Sequence, residues 1–426
     1  MIINLFVVVF TLKGLHNILF SNDGLQNSIK WIIFSFILGY RTFTIIPGLM
    51  IHPIEVFTYA AILRVMIFRE TKYYNMPVSI TLLGMFFVLT LIIDCLSRFH
   101  IFVILEFKSA FILYLLFFLM QYIYLTERYL KQTLKVYLVM GSLISVLGIC
   151  EYIFPSTVSL IFNFQSQNQF SNEGSSFHRL AFLFWGTHLA ANLIPPVFPI
   201  LLFLKAKKDR ITANNYVLTF LILVNLFSIY LSGNRISWLN LTVMLLLTII
   251  HYKNQLLPKL KPYILILITA FIVYIYSQPV EGRYFSIFKA LTGEIDQKYD
   301  SSGANRMAKA RMALESIKSN PLGTGWSSQG WVHSDLLQIS STIGIIPGII
   351  FLYSLISSFL KLLIKYIQLE SVENTSLFIG SCLMVYILVS LILNGNILIV
   401  QCGAPLALLW ALMRSYSQSI LIKKIL

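Results

Sequence analysis

Residues 375–395 read Thr375-Ser-Leu-Phe-Ile-Gly-Ser-Cys-Leu-Met-Val-Tyr-Ile-Leu-Val-Ser-Leu-Ile-Leu-Asn-Gly395, a stretch without a single charge. Wound as an α-helix at about 1.5 Å per residue, it spans a hydrocarbon core of about 30 Å. Barrel strands alternate apolar and polar positions, whereas this run is continuously apolar, so the helix is the reading that fits. Working outward, comparable runs recur near 1–20, 30–48, 53–69, 77–97, 108–126, 133–153, 180–204, 213–231, 235–251, 261–277, 334–361 and 399–418. With 57% hydrophobic and 12% charged residues among 426, and a mean hydropathy of +0.78, a soluble globular fold is excluded. The expected fold is all-α: a polytopic helical integral membrane protein of about 12–13 transmembrane helices. Lys13 interrupts the first run, which reads either as a short span or as a segment lying in the interface. A basic region of the kind that precedes a cleaved signal peptide is missing there.

Lys and Arg gather in short loops: Arg69/Lys72, Arg128/Lys131/Lys135, Lys205/Lys207/Lys208/Arg210, Lys253/Lys259/Lys261, Lys361/Lys365 and Arg414/Lys423/Lys424. Placing all of these in the cytoplasm agrees with strict alternation of the spans. Residues 154–179, 232–234 and 278–333 then face the opposite side. The same bias accounts for much of the formal charge of +15, so a nucleic-acid partner is not expected. Cys95, Cys150, Cys382 and Cys402 lie in or beside spans without metal-ligand spacing and read as core residues. No repeat or linker divides the sequence, so residues 1–426 form one polytopic membrane domain, carrying a large extracytoplasmic loop at 278–333.

Polar chemistry is concentrated in that loop and its neighbours, and ionisable groups kept at the edge of the lipid are where function is sought. Residues 304–318 place Met307, Ala308, Met312 and Leu314 among Arg306, Lys309, Arg311 and Lys318 at helical spacing, and Asn320-Pro321 stops the pattern. The expectation is an amphipathic helix on the outer membrane surface, with Lys309 and Lys318 open to a reading as solvated charges. Beyond it come Pro321-Leu-Gly323-Thr-Gly325-Trp326, His333-Ser334-Asp335-Leu336-Leu337-Gln338 and Gly344-Ile-Ile-Pro347-Gly348. Arg179 opens the span 180–204, Arg235 sits in Ser232-Gly233-Asn234-Arg235, and Arg283 follows Pro279. A single arginine at a membrane boundary can snorkel to headgroups. Several on one side beside a histidine suit a pyrophosphate, because guanidinium is a planar, permanently charged fork of donors.

The order Arg179 with Asn192, Ser232-Gly-Asn-Arg235-x-x-Trp238, Arg306, Pro321-Leu-Gly323-x-Gly325, His333 and Gly344-x-x-Pro347-Gly348 resembles the bacterial O-antigen polymerase/ligase family over roughly residues 175–350. These are polytopic glycosyltransferases acting on polyprenyl-diphosphate-linked glycans. The resemblance implies a multi-pass protein of the bacterial inner membrane with its active site facing the periplasm. It also implies arginines on the donor diphosphate, which would be Arg179, Arg235 and Arg306, and a general base at His333. Many members carry Asn after this histidine, whereas here Ser334-Asp335 follows. Asp335 is then a candidate for orienting His333 or the acceptor, or an acid placed by the helix dipole. Implied partners are the lipid-linked oligosaccharide, the bilayer and a chain-length regulator protein.

Such a transfer needs fixed cations where the leaving diphosphate gathers charge and a base for the acceptor hydroxyl. Neither requires a metal or cofactor, and none is expected; Glu294-x-Asp296 is the one extracytoplasmic acid pair. The acceptor separates a polymerase, which extends another lipid-linked repeat unit, from a ligase, which modifies the lipopolysaccharide core. We favour the polymerase. A lipid-linked oligosaccharide flippase stays open as a third reading; most ionisable side chains lie near span ends, and Pro195-Pro196, which kinks the span 180–204, could line a cavity in either class.

Overall fold

A computed structural model of the chain describes residues 2–38, 43–46, 49–154, 193–232, 235–251, 301–328, 332–368, 374–393 and 400–425, with the isolated positions 157, 265 and 269. Among them six helices are long and apolar enough to cross a membrane. The fold is all-α and polytopic, apart from one small hairpin. In chain order the helices are α1 (Ile2–Phe20), α2 (Gly24–Phe34), α3 (Pro53–Phe68), α4 (Val78–Arg98), α5 (Ile101–Met120) and α6 (Glu127–Ile153). They continue with α7 (Val197–Ala206), α8 (Arg210–Ala213), α9 (Asn215–Ser232), α10 (Arg235–His251), α11 (Ser301–Ser319) and α12 (Asp335–Thr342). The series ends with α13 (Ile345–Gln368), α14 (Asn374–Leu393) and α15 (Val400–Ile425).

Three expected spans take a different form. The run 30–48 is not one helix: α2 starts earlier, continues as a 3-10 turn over Ser35–Leu38, and gives way to strands β1 (Phe43–Ile46) and β2 (Leu49–Ile51), which pair antiparallel. The β-branched Thr44-Ile45-Ile46 favours a strand over continued helix. The run at 108–126 begins seven residues earlier, at Ile101, because the His100 ring accepts the Phe102 N–H and caps the helix. The run 334–361 is two helices, α12 and α13, divided at Ile343-Gly344. Of 180–204, the described part is a turn at Pro195-Pro196 followed by α7; 261–277 lies almost wholly outside the described residues.

Inside the bundle, small polar residues tie helices whose apolar faces gain little by leaving lipid. Asn225 of α9, fully buried, donates to Ser142 Oγ of α6 at 3.0 Å and accepts from Ser145 Oγ at 2.8 Å. Asn240 of α10 donates to Ser390 Oγ of α14 at 3.1 Å. Where α6 meets the turn after α7, Asp209 pairs with Lys131 and Lys135, both at 3.2 Å. Its carboxyl is held below the usual range: burial opposes ionisation, but the Ile211 N–H and the two lysines outweigh it.

Candidate functional site

The glycine-rich stretch before His333 is a splint across the break between α12 and α13. Breaking a helix leaves carbonyls at one end and N–H groups at the other without partners. Here the Thr324 and Gly325 N–H groups donate to the Ser341 and Thr342 carbonyls at 3.0 and 2.7 Å, while the Pro321 carbonyl accepts the Ile345 N–H at 3.0 Å. Such close apposition needs glycine. Gly323 (φ 93°) faces the backbone of residues 342–344 and Gly344 (φ 123°) that of Pro321 and Leu322, and a Cβ on Gly323 would stand 2.5 Å from the Ile343 carbonyl carbon.

The splint is anchored to the tips of α4 and α5. Asp94 Oδ2 accepts the Trp326 N–H at 2.5 Å, and its Oδ1 receives Arg98 Nε and Nη2 at 3.0 and 2.9 Å. Arg98 also donates to the Thr324 carbonyl. Glu106 Oε2 accepts the Ser327 N–H at 2.7 Å, holding Ser327 at φ 63°. The Trp326 ring is buried edge-on against Phe87 and Phe107, and its indole N–H reaches the Phe87 carbonyl at 3.4 Å. Gly325 sits directly over the Asp94–Arg98 pair, leaving no room for a side chain.

Beyond this anchor the chain reaches His333 and turns into α12. Ser334 is the N-cap, its hydroxyl accepting the Leu337 N–H at 3.4 Å, so the cap is Ser334 and not His333. Buried Gln338 reaches back to accept the Val332 N–H at 2.7 Å and donates to Thr342 Oγ1 at 3.2 Å, fixing the approach to His333. Asp335 is fully buried in the first turn of α12, where the helix dipole favours an acid.

Helix α11 packs on α12 and turns Arg306, Lys309 and buried Ala313 inward, while Met312 and Leu314 are exposed. Arg306 and Lys309 consequently stand beside His333. The half-buried imidazole is pushed down to about 4, first by burial and then by these two cations. At neutral pH His333 is uncharged and able to accept a proton.

Of the residues picked from the sequence, the fold brings together His333, Asp335 and Arg306. Arg235 opens α10, whose early residue Asn240 bonds to Ser390 near the end of α14, the helix against which α12 also packs. Arg179, Arg283 and the Glu294-x-Asp296 pair lie outside the described residues. Sequence reasoning missed Asp94, Arg98 and Glu106, although acids within or at the ends of apolar runs were a visible signal. It left Lys309 open as a solvated charge and gave Gln338 no role. The periodicity of residues 304–318 does show a helix, but not which face meets a partner.

Residues 218–353 match the model of the O-antigen ligase family. The matched stretch runs from α9 into α13 and takes in Arg235, Arg306, the glycine splint, His333 and Asp335, in support of the resemblance carried by motif order. No curated protein matches the chain.

Proposed function

We propose that this protein, of the O-antigen polymerase/ligase family, is a polysaccharide polymerase that moves a glycan from polyprenyl diphosphate to a sugar hydroxyl of another lipid-linked repeat unit, at the periplasmic face of the inner membrane. The observation that carries this reading is the neutral imidazole of His333 set beside Arg306 and Lys309. An uncharged base next to fixed cations is what the reaction needs. The acceptor oxygen attacks the sugar's anomeric carbon as the bond from that carbon to the diphosphate oxygen breaks. The hydroxyl proton passes to His333, and polyprenyl diphosphate departs with the bonding electrons. Arg306, with Arg235 and Arg179 as its proposed companions, opposes the charge that gathers on the leaving group.

The cations also tie the base to donor occupancy. Burial and the charges of Arg306 and Lys309 keep His333 weakly basic. A bound diphosphate offsets the charge contribution, so the imidazole becomes a stronger base when its substrate is in place. Asp335, buried just beyond, is assigned to holding this arrangement rather than to proton transfer.

The acceptor assignment is the softer part of this reading: among the segments proposed to face the periplasm, 154–179, 232–234 and 278–333, no residues have been singled out that would hold a second, branched glycolipid. The matched family is described as a ligase, so the test pits the two acceptors against each other. Purified protein given lipid-linked repeat units alone should produce a ladder of longer glycans. A single transfer to lipopolysaccharide core with no ladder would establish a ligase. Movement of lipid-linked units across vesicles without any new glycosidic bond would establish a transporter.

A further inference from the structure

At the end of the bundle remote from His333, three cations meet. Helix α13 begins at the splint, so at about 1.5 Å per residue Lys361 and Lys365 lie roughly 24 and 30 Å further along its axis. That is one hydrocarbon thickness away, at the level of the opposite leaflet. Arg414 of α15 is close enough to repel both lysines. It is only 7% exposed, and its Nε has no hydrogen-bond partner among the described residues. Nor does any of the three join an ion pair there. Lys365 donates to the Ser417 carbonyl, which occupies one of its three protons.

The bias of basic residues toward the cytoplasm explains an exposed lysine such as Lys361. It does not explain Arg414, which is enclosed by protein and cannot snorkel, and a buried guanidinium without a counter-charge is costly. We propose that Arg414, Lys365 and Lys361 form a binding site for the phosphate of an anionic lipid of the cytoplasmic leaflet. The three grade from buried to exposed, so the site opens where Lys361 stands. That side of α13 exposes Ile356, Leu360, Ile364 and Ile367, an apolar strip suited to acyl chains. Basic pockets between helices on this side of a membrane recognise anionic headgroups in this way. The site is independent of the transfer reaction at the other face.

Glu370 and Glu373 follow α13 in sequence and lie outside the described residues, and the test includes them. Full-length protein in neutral detergent is titrated with phosphatidylglycerol, phosphatidylcholine or inorganic phosphate. Thermal unfolding and native mass spectrometry are the readouts. Phosphatidylglycerol should raise Tm and be retained on the order of tenfold or more over phosphatidylcholine. Lys361→Gln/Lys365→Gln should lose at least half of that Tm rise, and Arg414→Met nearly all of it. Should Arg414→Met fail to fold, the double lysine variant and its lipid retention decide. An undiminished rise in the double variant, or an equal rise with phosphatidylcholine, overturns the proposal. An equal rise with inorganic phosphate overturns the lipid as its source. A phosphatidylglycerol response that is absent in the native protein and emerges only in Glu370→Gln/Glu373→Gln shows that the acids balance the cluster, and overturns it too.

Discussion

His333 is poised by its surroundings to be neutral, and the sign of the pH dependence follows. A lowered pKa means that the unfolded chain binds the proton first on acidification, so this group's contribution makes the folded protein less stable as pH falls from about 6.5 toward about 4. For activity, kcat/KM reports the free enzyme and should stay level from pH 8 to about 5.5, falling only as pH approaches the lowered value. The corresponding limb of kcat should lie at higher pH, because bound diphosphate offsets Arg306 and Lys309. A kcat/KM limb near pH 6.5 would contradict the setting described for His333. His333→Ala should lower transfer by about 10²–10⁴-fold while sparing donor binding. Because Ser334 already caps α12, His333→Asn should not restore turnover; activity surviving in that variant would remove His333 from the base role. For the arginines, Arg179→Lys and Arg235→Lys should each lose most activity at normal protein levels, since an ammonium cannot reproduce a bidentate fork. Near-native polysaccharide from both would favour arginines that only snorkel.

At the scale of elements, the α12–α13 break explains why its motif is rich in glycine. Pro321-Leu-Gly323-Thr-Gly325 supplies the donors and the acceptor that the two helix ends lack, and Gly323 and Gly344 admit the backbones at that distance. Their role is architectural, one step removed from the substrate. Gly323→Ala and Gly344→Ala should each cost about 1–3 kcal/mol, as positive φ and a backbone clash act together. Asp94→Ala removes the acceptor of a buried N–H and the partner of Arg98, at a similar cost of about 1–3 kcal/mol. In all three, cleavage by protease within 321–333 should increase before global unfolding does. Unchanged protease resistance in Asp94→Ala would show that α4 does not anchor the splint. Measured transfer should fall in the same variants, because His333 is reached through this segment.

For the whole molecule, orientation ties the two ends together. From charge bias and span alternation we propose that Lys207 and Lys259 are cytoplasmic and His333 periplasmic. In the structure the α4–α5 tips bind the loop that leads to His333, while Asp209, in the turn after α7, pairs with Lys131 and Lys135 in the first turns of α6. Single cysteines at 207, 259 and 333, treated with an impermeant thiol reagent on intact cells, should label only at 333. Strong labelling at 207 would invert the assignment and with it the functional site. The polar ties Asn225–Ser142 and Asn240–Ser390 hold the same helices in register, and their apolar replacement should loosen the bundle without changing its orientation.

The sequence by itself determined the class of fold, because long uncharged runs admit only helices across a bilayer, and it marked His333 and the loop glycines, because polar groups are rare in such a chain. It also carried the family resemblance, since motif order survives without coordinates. What only the tertiary structure decided was which charges meet. Periodicity located α11 but not the face that brings Arg306 and Lys309 to His333. Hydropathy merged α12 and α13, because a window average does not see a break repaired by distant backbone hydrogen bonds. Asp94, Arg98 and Glu106 lie more than two hundred residues from the loop they hold, and Arg414 only becomes a buried cation once α15 packs beside α13. The physical reason is the same in each case: helix formation is local and written in neighbouring residues, whereas counter-charges, hydrogen-bond partners and room for a Cβ are set by segments that only packing makes adjacent.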